Sequence, residues 1–467
     1  MIFDALFGDP EVDAILSDAS LVAAMLRVEV ALAKAEAAIG IIPERAVDAI
    51  EQSADTRGYD LAALARDGAL AGNLAIPLVR HLTDSVARID ADSARYVHWG
   101  ATSQDIIDTA MVLQLRDATT IVLASLDHAS DAAAALAERY AATVMAGRTW
   151  LQHATPITFG LKAAGWMSAL DRSRAQVRRA LTEAAVLQLG GASGTLAAFG
   201  DRGADVTRAL ATELALAVPA EPWHSARDRF ATLACAFGVA SGTMGKIARD
   251  VALLAQTEVA EAFEPGGDGR GSSSTMPQKR NPVGSAVILA ASVRVPGLVA
   301  TMLAAMPQEH ERALGGWQAE WETMPALARL AAGAARHTAE ILGGLEVDTA
   351  RMRANVDMTH GVSLAESVSM ALAEHIGRFD AHRMIGAAAT RAMAEKRDLA
   401  AVLAEMPGVT KHLSRTEIER RLVPENYLGS SGQIVRDALA QHARERSAEA
   451  RRDTKAAGSR VGIGPSS

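Results

Sequence analysis

Residues 317–344, "WQAEWETMPALARLAAGAARHTAEILGG", read as one long helix. Trp317, Trp321, Met324, Ala328, Ala331 and Ala335 fall alternately four and three residues apart. That spacing draws a narrow apolar seam of the coiled-coil kind. Alanine on such a seam lets another long helix approach closely, in the same chain or in a second copy. The composition agrees. Of 467 residues 49% are apolar but only 4% are aromatic, and Ala carries much of the apolar count. Small side chains suit helix-on-helix packing better than a sandwich or barrel. No internal repeat is visible and no segment alternates as a strand should. The expectation is an all-α chain.

Working outward, the chain divides into three parts. Residues 1–105 hold several short helices. The clearest is "DASLVAAMLRVEVALAKAEAAIGIIP", which Asp18 or Ser20 can cap and "GIIP" ends. In "ARDGALAGNLAIPLVRHL" a helix breaks and restarts. Residues 106–346 carry long helical stretches with few prolines and read as a central long-helix bundle. Residues 347–449 return to shorter helices. The stretch 450–467 lacks periodicity and reads as a loose tail.

Composition also sets limits. A net charge of −8 argues against nucleic acid as a partner, although a local basic pocket for a small anion fits an acidic protein. Cys235 is the only cysteine, so there is no internal disulfide, which suits a reducing compartment. It lies in "ATLACAFGVA" and reads as a small buried residue. No basic-plus-apolar leader opens the chain, and no uninterrupted apolar run reaches the roughly 18 residues of a membrane span. The expected location is the cytoplasm, with no membrane partner.

Three polar islands break the helical pattern. The first is "HWGATSQDIIDT", His98–Thr109. Thr102 followed by Asp105 makes a capping box, and a helix N-terminus offers free N–H groups to an anion. Ser103 adds a hydroxyl and His98 a possible substrate contact, though a well-capped helix alone also explains the passage. The second is "GRTWLQHATPITFG", in which Arg148, Thr149, Gln152 and His153 crowd together. His153 alone reads more readily as a structural histidine. No second His stands at metal-ligand spacing from His98 or His153, so no metal is expected.

The third island is "PGGDGRGSSSTMPQKRNP", residues 265–282. It is not a Walker loop, because Ser272 stands where the Lys belongs. It is not GxGxxG, and no GxSxG elbow occurs. A flexible linker explains the glycines but not "MPQKRNP". Lys279, Arg280 and Asn281 in a Pro-bounded turn look like carboxylate recognition.

"SSSTMPQKRNP" closely resembles the signature loop of the fumarase/aspartase superfamily, G-S-S-x-M-P-x-K-x-N-P, with Ser272 in place of the first Gly. The other two islands resemble the superfamily's remaining active-site regions in the same order. The resemblance extends to about residue 445. Within the superfamily, "HWGATSQDIIDT", "GGASGTLAAFG", "EHERALGGWQAEW" and the opening residues are similar to the 3-carboxy-cis,cis-muconate cycloisomerase branch. The Arg-Tyr pair near the start of adenylosuccinate lyases, which contacts the nucleotide, is absent from Met1–Pro10.

The resemblance implies a three-domain fumarase/aspartase-like fold and a homotetramer whose sites are shared between subunits. It implies a small polycarboxylate substrate and no cofactor. It implies Ser273 as the proton-transfer residue, His153 as general acid/base, and Lys279 and Asn281 on a substrate carboxylate. The glycines at 266, 267, 269 and 271 become hinges. Thr102 and Ser103 take a second carboxylate; His98, Gln256 and Arg312 are further substrate contacts. Arg148, Thr149, Gln152, Ser274 and Met276 complete the candidate set. For Arg312 a plain helix-surface or ion-pair role stands beside the substrate role. An adenylosuccinate lyase-like elimination enzyme and a non-catalytic helical scaffold remain as alternatives.

Overall fold

The computed structural model describes residues 3–461 apart from 268, 270, 273, 274, 277 and 278. Long helices dominate: Ser103–Arg139, Phe159–Ala184, Asp228–Leu254, Val283–Ala304 and Gly316–Gly343. The all-α expectation holds, with one local correction. Among the described residues there are four short strands, in two two-stranded antiparallel sheets.

The contacts divide the chain into two units. The first gathers the residues up to Leu126, Arg172–Gly245 and Val287–His337. In it the helix Asp18–Ile39 packs against Glu44–Ser53 and Gly203–Leu214. Its N-cap is Ser17 rather than the expected Asp18 or Ser20, and Ser17 Oγ accepts from Ser20 N at 3.3 Å. It ends as expected at Gly40, left-handed at φ 77, with Ile41 N–H returned to Glu36 O at 2.9 Å. Val22, Met25, Leu26 and Leu32 line its buried face. In Gly316–Gly343 the seam predicted from spacing is buried at Trp317, Met324, Ala328, Ala331 and Ala335.

The second unit gathers Asp127–Asp171, Lys246–Ala286 and the chain from Thr338. Buried apolar residues of Ala365–Ile376, Arg378–Glu395, Leu399–Ala404 and Arg415–Arg421 form one of its cores. The last helix, Ser431–Val461, continues past residue 450, where a loose tail was expected. Asp171 holds it in place: His442 Nδ1 lies 3.0 Å from Asp171 Oδ2, and Ser130 Oγ donates to Asp171 Oδ1 at 2.6 Å.

Two helices, Asp228–Leu254 and Val283–Ala304, match a membrane span in length and composition. Arg294 interrupts the apolar run of Val283–Ala304. Most of the first helix is buried inside the protein, as in a core helix. The second has a window of mean hydropathy 1.9 that is only 28% buried, so it carries a bare apolar face.

Candidate active site

The candidate residues divide between the two units. In the first unit they gather at the start of the helix Ser103–Arg139. Asp105 organises that end. Its carboxylate accepts from Thr102 N at 3.0 Å, Gly190 N at 2.9 Å and Gly191 N at 2.9 Å. Its Oδ1 also meets His224 Nε2 at 2.7 Å. The expected capping box is therefore half formed: Asp105 reaches back to Thr102, but Thr102 Oγ1 accepts from Arg312 Nη1 at 2.9 Å instead of from the helix. Gly100 is required here, because a Cβ would lie 2.5 Å from Phe199 Cζ and its φ is +70.

Arg312 also donates to Ala192 O at 3.0 Å, and its Nε is buried without a partner. Its acceptors among the described residues are all neutral oxygens, so no ion pair compensates its charge there. That cation, the first N–H groups of a 37-residue helix and the Thr102 and Ser103 hydroxyls together favour an anion. His98, at φ 58, turns Nδ1 onto Glu29 Oε1 at 2.7 Å. Burial disfavours its imidazolium, but the charge and hydrogen bond of Glu29, then the charge of Asp105, raise its pKa above the ordinary value.

One turn along the same helix, Asp108 pairs with buried Arg227, which also clasps Glu320. Trp317 Nε1 donates to Asp108 at 2.9 Å. Burial alone would depress the Arg227 pKa; the two carboxylates raise it instead. This buried network fixes the helix end on which Thr102 and Ser103 sit.

In the second unit the "GRTWLQHATPITFG" island is a β-hairpin, Val144–Thr149 with Gln152–Thr158. Strands were not expected here. The turn residues, Trp150 at φ 53 and Leu151 at φ 63, adopt positive-φ geometry without the Gly or Asn that usually signals it. The pairing sets Arg148 opposite His153 and Thr149 opposite Gln152. Thr149 and Gln152 are exposed and His153 is half-buried. Burial, then the charge of Arg148, lowers the His153 pKa, against a smaller pull from Glu261. His153 thus holds its neutral form more readily than an ordinary histidine. Arg148 grips fully buried Glu261 with two bonds of 2.7 and 2.8 Å, and Asn355 Nδ2 donates to the same carboxylate at 2.8 Å. The charge of Arg148 is therefore matched inside the protein.

The signature loop lies in the same unit. Ser273 and Ser274 fall outside the described residues. Arg280, read with the carboxylate-binding residues, pairs instead with Glu346 at 2.8 and 2.9 Å and with Glu264 O at 2.8 Å. The Glu264 carboxylate accepts from Gly284 N and Ser285 N at 3.0 and 2.7 Å and so caps the following helix. Lys279 is exposed and has no carboxylate partner among the described residues. Asn281 N donates to Gly271 O at 2.9 Å, while Met276 and Gln256 are exposed. Phe263, Glu264, Gly266, Arg280 and Asn281 line a recess of only about 20 Å³, room for one water.

The comparisons with known proteins decide the family. The family model described as "Lyase" matches residues 8–297, and "Adenylosuccinate lyase C-terminus" matches 361–438. A 3-carboxy-cis,cis-muconate cycloisomerase from Pseudomonas aeruginosa is 52% identical over 94% of this chain and 96% of its own length. The chain belongs to the 3-carboxy-cis,cis-muconate cycloisomerase family. A cycloisomerase of the same name from Bradyrhizobium diazoefficiens is 52% identical over 90% of this chain and 93% of its own length. The 3-carboxy-cis,cis-muconate lactonizing enzyme of Pseudomonas putida superposes with a TM-score of 0.90 at 48% identity, covering 95% of this chain and 99% of that one. The fumarase/aspartase-like fold expected from the loop is the fold of this family.

Sequence reasoning missed Glu29, Asp105 as an organising hub, His224 and Glu261. For Glu29 a signal was present. Glu29 and Glu36 sit seven residues apart on the apolar stripe of their helix, where charge is out of place. Nothing local marked Glu261, whose partner Arg148 is 113 residues away.

Proposed function

We propose that the protein is a 3-carboxy-cis,cis-muconate cycloisomerase that forms a carboxymuconolactone in protocatechuate breakdown. The observation that carries this reading is the half-identical match to such enzymes along nearly the whole chain. One substrate carboxylate oxygen bonds to an alkene carbon. The π pair moves to the neighbouring carbon and into its own carboxylate as a dianionic aci-carboxylate. A proton delivered to that carbon completes the lactone.

The dangerous species is the dianion, so positive charge must be in place beforehand. Arg312 beside Thr102 and a helix N-terminus, and Lys279 with Asn281, neither cation having a carboxylate partner among the described residues, are suited to that task. Ser273 donates the proton, and solvent restores it. Neutral His153 accepts or relays a proton rather than neutralising an anion. Arg148, with its charge matched by Glu261, shapes the hairpin; Thr149, Gln152, Gln256, Ser274 and Met276 contribute contacts with substrate.

The same reading makes the protein a homotetramer with sites shared between subunits. The bare apolar face of Val283–Ala304 and the small recess at the signature loop support it. A cytoplasmic location suits the unpaired Cys235.

The test is to offer purified protein 3-carboxymuconate and follow loss of the diene's ultraviolet absorbance, with adenylosuccinate in parallel. Turnover of the first alone is expected. Turnover of adenylosuccinate alone would sink the assignment in favour of an adenylosuccinate lyase-like elimination, and turnover of neither would favour a non-catalytic scaffold.

A further inference from the structure

We infer that Glu29 is a positioning residue for the reaction: it holds His98 so that Nε2–H meets a substrate carboxylate. This rests on the functional reading above.

The geometry is specific. Glu29 is 2% exposed, and the only hydrogen bond of its carboxylate among the described residues is the 2.7 Å contact with His98 Nδ1. Its other oxygen, Oε2, is buried without a partner. A buried carboxylate with one partner is costly unless that partner carries the opposite charge. His98 adopts a left-handed backbone, unfavourable for a residue with a Cβ, to make this contact. Its side chain remains 18% exposed, and Nε2 meets no hydrogen-bond partner among the described residues. With Nδ1 committed to a carboxylate, Nε2 is the ring atom left to receive a ligand.

The surroundings leave Glu29 as the anion that serves His98. Glu36, on the same helix and fully buried, is pushed up to about 9 by burial and then by the charge of Glu29, so it is neutral. Tyr59, pushed up to about 12 by burial and then by Glu29, is neutral and donates to Ser53 O, with Arg88 acting in the opposite direction. Asp105 adds negative charge but is bound by His224, Gly190 and Gly191. Arg312 is the other cation at this end, on Thr102. Replacing Glu29 by Gln removes the reason for His98 to carry its second proton. A neutral imidazole can then present a lone pair at Nε2, which repels a carboxylate.

The sign follows from the raised histidine. Binding that depends on the imidazolium is complete at low pH and is lost as pH rises through the folded-state value. The test uses tricarballylate, an unreactive tricarboxylate, in calorimetric titrations from pH 6 to 9 on wild type, E29Q and E29D. E29Q should bind about tenfold more weakly at pH 7, with the pH midpoint of binding lowered by about one unit, while E29D keeps the wild-type midpoint. An unchanged affinity and midpoint in E29Q would overturn the proposal, and so would a loss equal at every pH. Should E29Q not fold, titration of wild type in two buffers of different ionisation enthalpy reads the same coupling. Proton uptake on binding above neutral pH, absent in H98N, is expected; no uptake overturns it. Because tricarballylate needs no turnover, failure of the muconate assay leaves this result readable on its own.

Discussion

Arg312 Nη1 donates to Thr102 Oγ1 at 2.9 Å, joining two residues 210 positions apart in the chain. Among the described residues the guanidinium meets only neutral oxygens, and the hydroxyl it holds stands at a helix N-terminus. A cation kept without a counter-charge is poised for a ligand anion.

Arg312→Ala should therefore raise KM for 3-carboxymuconate by about 10- to 100-fold, the weight of a hydrogen bond to a charged group. Arg312→Lys should restore part of that loss, since it keeps the charge but not the fork. Steady-state kinetics on the two variants checks this; wild-type KM in Arg312→Ala would remove Arg312 from the site.

His153 has a second signature. Burial and then Arg148 disfavour its protonated form, so the neutral ring survives to lower pH than an ordinary histidine. The acid limb of kcat/KM should fall below about 6.5. His153→Gln should abolish the limb and lower the rate by about 10²- to 10⁴-fold. A limb well above the ordinary histidine value would contradict the assignment.

Glu36 predicts an effect on stability. Its folded value of about 9 exceeds its ordinary 4.5, so the folded protein keeps a proton that the unfolded chain releases. Stability should fall as pH rises from about 4.5 to about 9 on account of this group. Glu36→Gln removes the penalty and should stabilise the protein at pH 7 by on the order of 2–3 kcal/mol, with almost no gain at pH 4.5. Melting temperatures at matched protein concentration over that range read the difference. A gain independent of pH would rule out the proton as its cause.

Gly271 has φ +68, and a Cβ there would stand 2.5 Å from Asn281 O. Gly271→Ala must therefore push apart the two arms of the signature loop and break the Asn281 N to Gly271 O bond of 2.9 Å. The expected outcome is a fall in kcat of more than about tenfold, with melting temperature changed by only a few degrees. Unchanged kcat would show that the closeness of the arms is unimportant to turnover.

Local patterns carried much of this protein. The Ala-rich seam from Trp317 to Ala335 announced long packed helices, because side-chain spacing depends only on the 3.6-residue turn. "GIIP" announced the helix end at Gly40, and the break within "ARDGALAGNLAIPLVRHL" falls at Gly72, for the same local reason. "SSSTMPQKRNP" announced the family. The hairpin at Trp150-Leu151 went unread because its turn uses none of the residues that normally accept positive φ.

The roles of the charged groups were another matter. Which cations and acids exist, and which lie near the three islands, can be read along the chain. The folded contacts are what match Arg148 with Glu261 and Arg280 with Glu346, leave Arg312 with no carboxylate partner among the described residues, and bring His98 onto Glu29. Charge compensation and burial depend on distance through space, and His98 and Glu29 stand 69 residues apart along the chain.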